Sequence, residues 1–208
     1  MRFVSLLVLF AVLSGLALAA GNGHFHGRVI LEWVDDSPFF ASMLLVEEFS
    51  FEQANGKTWL VPAGTILDGR FAPPLFTKLM GHPFEGGFRK SAIVYDYAAK
   101  DMTQSWREAQ RMFYEASIVE GVLPIEAKVM FMLMNAEGSR WVERRTSSCF
   151  NSCHAGASDL SWRPLVEDAQ VIALVSWVRE GDPSLDEIEQ RVDNTLLHRG
   201  PHIFAYVR

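Results

Sequence analysis

The sequence has few cysteines and no excess of positive charge, and each of these features excludes a class of protein. Only two of the 208 residues are cysteine, so a framework of several disulfides is excluded. Lysine and arginine number 19 against 25 aspartate and glutamate, a formal net charge of −6. This balance is unsuited to a nucleic-acid groove or an anionic membrane surface. We therefore expect no nucleic acid among the partners of this protein.

Long apolar runs are equally scarce, except at the N-terminus. Arg2 precedes an apolar stretch over residues 3–13, and residues 17–19 read Ala-Leu-Ala, a small-residue cleavage site. The pattern predicts a signal peptide over residues 1–19 and a periplasmic or secreted mature protein. Its removal leaves 18 basic and 25 acidic residues, a net charge of −7. No second apolar run approaches the roughly 18 residues of a membrane helix, so no stable span is expected after cleavage.

Hydrophobic periodicity predicts an α+β fold. Segments rich in apolar, β-branched and aromatic residues predict strands over residues 28–33, 43–51 and 57–62. Segments with helical length or apolar residues three and four apart predict helices over residues 88–100, 104–119 and 124–135. We expect a β-rich N-terminal half packed with about three helices, in which the methionines of the last helix are core residues.

A helical C-terminal extension is expected beyond a change in composition near Glu143. We divide the mature chain there, into residues 20–142 and 143–208. Arg163-Pro164 predicts the start of a helix that ends at Gly181, and Asp182-Pro183 the start of a short last helix. The 66-residue extension has few large apolar side chains. It therefore needs a staple, a cofactor or a surface to dock on.

Both cysteines lie in one hexapeptide, Cys149-Phe-Asn-Ser-Cys153-His154. Residues 149–159 look like a variant of the haem-attachment site of c-type cytochromes. In such sites two cysteines form thioethers with the haem and the following histidine ligates its iron. Here Cys149 and Cys153 would anchor haem c, and His154 would be the metal ligand. This chain has one residue more between the cysteines than the usual Cys-x-x-Cys-His.

Two other readings of the hexapeptide remain open. A disulfide requires Cβ atoms roughly 4 Å apart, whereas one helical turn separates them by about 6 Å. The bond is therefore compatible only with a turn, which Asn151 and Ser152 permit. The same side chains suit zinc, provided that a fourth ligand comes from elsewhere.

An ordered string of motifs upstream resembles the domain of unknown function 1353 family, whose members are often found in phage and prophage genomes. The motifs are Trp59-Leu-Val-Pro-Ala-Gly-Thr-Ile-Leu-Asp-Gly, Pro73-Pro74, Gly81-His-Pro-Phe-Glu-Gly-Gly-Phe-Arg-Lys-Ser-Ala and Tyr95-Asp-Tyr. The resemblance covers about residues 25–142 and implies no settled activity.

The family pattern usually reads Asp-Gly-Ala-Ser at one site and His-Asp-Tyr at another. Asp68 and Asp96 are retained here, whereas Tyr95 stands at the histidine position. The resemblance makes these three residues the candidate catalytic site, either hydrolase-like or, without the histidine, non-catalytic. Read from the residues alone, Asp68 organises a turn and Asp96 hydrogen-bonds a neighbouring loop.

Histidines offer a further candidate near the predicted mature N-terminus. His24 and His26 alternate, so on a strand they share one face and can chelate a metal. Their position favours a frayed, solvated end. His82, which precedes a proline, is expected to be a polar surface residue.

Three functions follow from these readings. The first is a periplasmic c-type haem protein that transfers electrons with a redox partner. The second is a non-enzymatic envelope binding or structural module with a Cys149–Cys153 disulfide. The third is a hydrolase-like enzyme that uses Asp68 and Asp96.

Overall fold

The computed structural model describes residues 23–35, 42–141, 161–164, 166–197 and 204–206 and confirms the α+β class. Six strands come first in the chain. They are β1 (His24–His26), β2 (Leu31–Asp35), β3 (Ser42–Leu45), β4 (Phe49–Glu52), β5 (Thr58–Val61) and β6 (Ile66–Leu67). They form two antiparallel three-stranded sheets, with the strand orders β1-β4-β5 and β2-β3-β6.

Four consecutive helices follow these sheets, and two more lie in the C-terminal extension. The first four are α1 (Pro74–Met80), α2 (Arg89–Asp101), α3 (Trp106–Glu120) and α4 (Pro124–Glu137). The remaining elements are β7 (Arg140–Trp141), β8 (Ser161–Pro164), α5 (Asp168–Gly181), α6 (Leu185–Leu197) and β9 (Phe204–Tyr206). The three late strands form an antiparallel sheet with β8 at its centre.

The predicted helices α2, α3 and α4 are confirmed to within two residues at each end. Local signals set their limits. Ser105 and Glu108 form a capping box at the start of α3, and Gly121 ends the helix at a φ of 102°. The short helix α1 was not predicted, although Pro74 occupies the first-turn position that proline favours.

Two strand predictions were wrong in detail. The segment predicted as one strand over 43–51 is two strands, because the chain turns after Leu45 and the Val46 amide donates to the carbonyl of Ile30 at 2.9 Å. The turn lets Leu45 and Phe49 both reach the core. The strand predicted over 28–33 lies at 31–35 instead, paired with β3.

Helix α4 lies at the centre of the core, and both helices of the extension pack against it. Its residues 129–134 are all buried, including Met130, Met132 and Met134, which confirms the prediction that the methionines are core. Helices α5 and α6 pack on α4 and place Val171, Val178, Ile188 and Val192 in the same apolar cluster. The described part of the extension therefore docks on the upstream half.

The predicted start of each C-terminal helix was wrong. Arg163 and Pro164 belong to strand β8, since this segment pairs with β7 and β9, and α5 begins only at Asp168. Asp182 ends α5 at a φ of 43° instead of capping α6. The cap of α6 is Ser184, which exchanges hydrogen bonds with Glu187.

The frayed end expected around His24 was also wrong. Residues 24–26 form β1, which pairs with β4 and packs Phe25 against Phe49 and Phe51. No helix in the described part of the chain is long and apolar enough to cross a membrane. The predicted signal peptide, residues 1–19, lies outside the described residues.

Candidate functional site

Asp68 and Asp96 come together at the junction between β6 and α2. Asp68 directly follows β6, and Asp96 lies in the middle of α2. Both carboxylates contact one ammonium group: Lys100 Nζ is 2.6 Å from Asp96 Oδ2 and 3.2 Å from Asp68 Oδ1. We call these three residues the acid–lysine cluster. The family resemblance made the two acids a candidate pair, but the sequence did not identify the lysine.

The cluster also joins the two elements through backbone groups. Lys100 Nζ donates to the carbonyl of Ile66 at 2.9 Å, and the Asp68 amide donates to Asp96 Oδ2 at 3.4 Å. Asp68 Oδ1 accepts from the Arg70 amide at 3.1 Å, and its Oδ2 accepts from Arg70 Nε at 2.9 Å. Two contacts expected from the residues alone are thus present: Asp68 organises a turn, and Asp96 hydrogen-bonds a neighbouring loop.

The pKa values of the two carboxyl groups are shifted in opposite directions. Burial raises the pKa of Asp96 to about 6, and Lys100 only partly offsets this rise. Burial acts on Asp68 as well, but hydrogen bonds from Arg70 and the charge of Lys100 hold its pKa below the ordinary value. A pair of acids with separated pKa values is typical of acid–base sites. However, the Asp96 side chain is only 1% exposed, and that of Asp68 only 9%.

Tyr95 lies inside the core, among aromatic side chains. Its ring centroid lies 5.0 Å from that of Phe71 and 5.3 Å from that of Phe113. Burial raises the pKa of Tyr95 well above its ordinary value. At neutral pH Tyr95 is therefore a protonated, fully buried phenol.

Arg163 brings the C-terminal extension to the edge of this region. From β8, its guanidinium donates through one nitrogen to the carbonyls of Arg70 at 2.5 Å and Phe71 at 3.2 Å. Its Nε donates to Ser139 Oγ at 3.2 Å. These contacts cover the backbone of the loop that holds Asp68. No sequence pattern pointed to Arg163, because its partners are main-chain oxygens 92 and 93 positions away.

A separate cleft lies between β5 and α2, and none of its lining residues is a candidate site residue of the sequence analysis. Its volume is about 240 Å³. Tyr97 and the mostly buried Trp59 supply aromatic surface, while Asp101, Thr103 and Gln104 supply polar groups. The hydroxyl of Thr103 donates to the Asp101 carboxylate. Aromatic surface with a few polar groups is the usual lining of a small-ligand site.

The hexapeptide with Cys149, Cys153 and His154 lies outside the described residues. Haem attachment, disulfide and zinc therefore remain predictions from the sequence.

Two curated relatives resemble about half of the chain. The uncharacterized protein y4jT of Sinorhizobium fredii (strain NBRC 101917 / NGR234) is 34% identical over 107 residues, 51% of this chain and 31% of that protein. The uncharacterized protein y4iH of the same organism is 32% identical over 98 residues, 47% of this chain and 41% of that protein. The chain thus spans well under half the length of either relative.

No solved structure matches the chain significantly. Residues 43–134 match the family described as Protein of unknown function (DUF1353), which confirms the sequence resemblance over that segment, including Asp68, Tyr95 and Asp96.

Proposed function

We propose that this protein is an exported, non-catalytic module that binds a small polar ligand. The observation that carries the proposal is the enclosure of the two acids. A catalytic carboxylate has to come within roughly 2.6–3.2 Å of the substrate. Asp96 is 1% exposed, and Lys100 and Arg70 occupy the oxygens of Asp68.

Tyr95 supports the same conclusion. The family pattern usually has a histidine at this position, where a base near neutral pH would be available. Here the residue is an aromatic core side chain, packed against Phe71 and Phe113, whose pKa burial has raised. The acid–lysine cluster then serves to fasten β6 to α2, and not to transfer protons to a substrate.

The ligand-binding surface in this proposal is the cleft between β5 and α2. Its volume of about 240 Å³ is below the roughly 300–1,000 Å³ of sites for drug-sized molecules, so the ligand is about the size of one sugar ring. Asp101, Thr103 and Gln104 suit a ligand with several hydroxyl groups, and Tyr97 offers an apolar face to its CH groups. Envelope glycans supply such units to an exported protein.

The expected result is binding of neutral mono- or disaccharides in the cleft, measured by saturation-transfer NMR on the purified protein. Replacing Asp101 with asparagine is expected to weaken binding about tenfold, because a hydrogen bond to a charged group contributes about 1.5–3 kcal/mol. Asp186→Asn is the matched control, since Asp186 is exposed and pairs with Arg111 on another surface. Equal binding by both variants would count against the cleft.

Catalytic turnover would contradict the proposal. The wild-type protein is expected to leave chromogenic esters, phosphodiesters and glycosides unchanged. Turnover that disappears in Asp68→Asn, while circular dichroism shows a folded protein, would establish the hydrolase-like alternative instead.

The hexapeptide favours a second function, electron transfer by a c-type haem. In this alternative the thiols of Cys149 and Cys153 add across the two haem vinyl groups, and His154 ligates the iron. Support comes from the residue types and their order in the sequence. The extra residue between the cysteines distinguishes the motif from the usual haem site.

The hypotheses for the hexapeptide can be distinguished by purifying the protein after its export from cells that mature c-type cytochromes. For the haem protein we expect a Soret band and a covalent haem mass on a chain that begins at Ala20. A colourless protein without free thiols, lighter by the hydrogens lost on oxidation, indicates the disulfide. A colourless protein with two free thiols contradicts both.

A further inference from the structure

The outer face of β1 carries two histidines. Successive residues of a strand point to opposite faces, so His24 and His26 lie on one side and Phe25 on the other. Phe25 stacks on Phe49, with ring centroids 5.6 Å apart. The two imidazoles therefore share the solvent face of the sheet, where their ring centroids are 4.4 Å apart.

Strand β4 adds a carboxylate to this pair. The register places Glu52 directly opposite His24 and diagonal to His26. Glu52 Oε2 lies 3.6 Å from His24 Nε2 and 3.3 Å from His26 Nε2. One ligand atom from each of the three residues lies within 4.8 Å of the other two. Nothing in the sequence pattern indicated Glu52, because it is 26 residues from the nearer histidine.

These separations suit a tetrahedral metal ion. With zinc–nitrogen and zinc–oxygen distances of about 2.0–2.1 Å, neighbouring ligand atoms lie roughly 3.3 Å apart. The two nitrogen–oxygen separations already meet or approach that value. The remaining nitrogen–nitrogen distance is at most 4.8 Å, between two exposed imidazole rings.

The donor set also selects the kind of ion. Two imidazoles and one carboxylate favour zinc and neighbouring transition metals, whereas magnesium and calcium prefer oxygen ligands. Three protein ligands leave the fourth tetrahedral position to water or to an external group. The exposure of both histidines keeps that position accessible to solvent.

Close packing at both ends keeps β1 in place. A Cβ added at Gly23 would lie 2.6 Å from the carbonyl oxygen of Glu52, and one at Gly27 the same distance from that of Glu48. Gly27 also has a φ of 87°. The backbone that carries the histidines is therefore held against its neighbours by positions that suit glycine.

We propose that His24, His26 and Glu52 bind one zinc ion on the outer face of the β1-β4-β5 sheet, with the fourth position open. None of the three ligands lines the cleft between β5 and α2.

Zinc titration of the untagged, full-length exported protein at about pH 7.5 tests the proposal. The comparison is made with Cys149 and Cys153 replaced by serine in every sample, so the hexapeptide supplies no thiolate. We expect one zinc per chain, and an affinity at least about tenfold lower in the His24→Ala/His26→Ala double variant. Glu52→Gln is expected to weaken binding in the same direction.

His82→Ala is the matched control, because His82 is an exposed histidine outside this group. Its zinc affinity is expected to equal that of the parent protein. The proposal is overturned if the parent takes up no zinc at micromolar concentrations, or if the double variant binds as tightly as the parent. Unchanged circular dichroism in the double variant excludes unfolding as the cause of a lost site.

Discussion

Replacing Lys100 with methionine is expected to lower the free energy of unfolding by about 3 kcal/mol at about pH 7.5. Methionine keeps most of the side-chain length but leaves Asp96, Asp68 and the carbonyl of Ile66 without their ammonium donor. Loss of one partner of a buried pair costs about 3–5 kcal/mol. Lys100 is 38% exposed and Arg70 still reaches Asp68, so the lower end applies. Urea denaturation measures the change.

Lowering the pH should reduce the loss of stability caused by Lys100→Met. At about pH 5 Asp96 binds a proton in the folded state, so less charge is left unpaired and the loss is expected to fall by roughly half. Lys128→Met is the control, since Lys128 pairs with an Asp182 carboxylate that is 71% exposed. That variant should lose no more than about 1 kcal/mol. A similarly small effect of Lys100→Met at both pH values would contradict the role assigned to the cluster.

Between about pH 4 and pH 6 the wild-type protein is expected to lose about 2 kcal/mol of stability relative to Asp96→Asn. Burial raises the pKa of Asp96 from 3.8 to about 6. In this interval the folded state holds the Asp96 proton while the unfolded state has released it. Rising pH therefore favours unfolding, and the effect levels off once both states are ionised. Urea denaturation of both proteins across the interval measures the difference.

Glu187→Gln is the control, because its stability difference from the wild-type protein is expected to change with pH in the opposite direction. A backbone hydrogen bond from Ser184 lowers the pKa of Glu187, so this group stabilises the folded state above its ordinary pKa and loses that contribution in acid. The wild-type protein should therefore gain stability relative to Glu187→Gln as pH rises. If the Asp96 difference also rose with pH, Lys100 would outweigh burial and the assignment would be wrong.

Helices were predictable where their signals are local. The capping box of Ser105 and Glu108, the glycine at 121 and the proline at 124 act within one turn of the chain. Strands were less predictable, because pairing depends on distant segments. Residues 161–164 form a strand only because β7 and β9 flank them, and the turn after Leu45 uses a carbonyl of residue 30.

The same contrast between local and distant signals applies to the acid–lysine cluster and to the zinc site. Through the family resemblance the sequence made Asp68 and Asp96 a candidate pair, and its alternation determined that His24 and His26 share a face if they lie on a strand. Only the tertiary structure decided that Lys100 lies between the two acids and that Glu52 lies beside the histidines. The reason is physical: spacing along one strand fixes which side chains share a face, whereas contacts across strands and helices depend on register and packing.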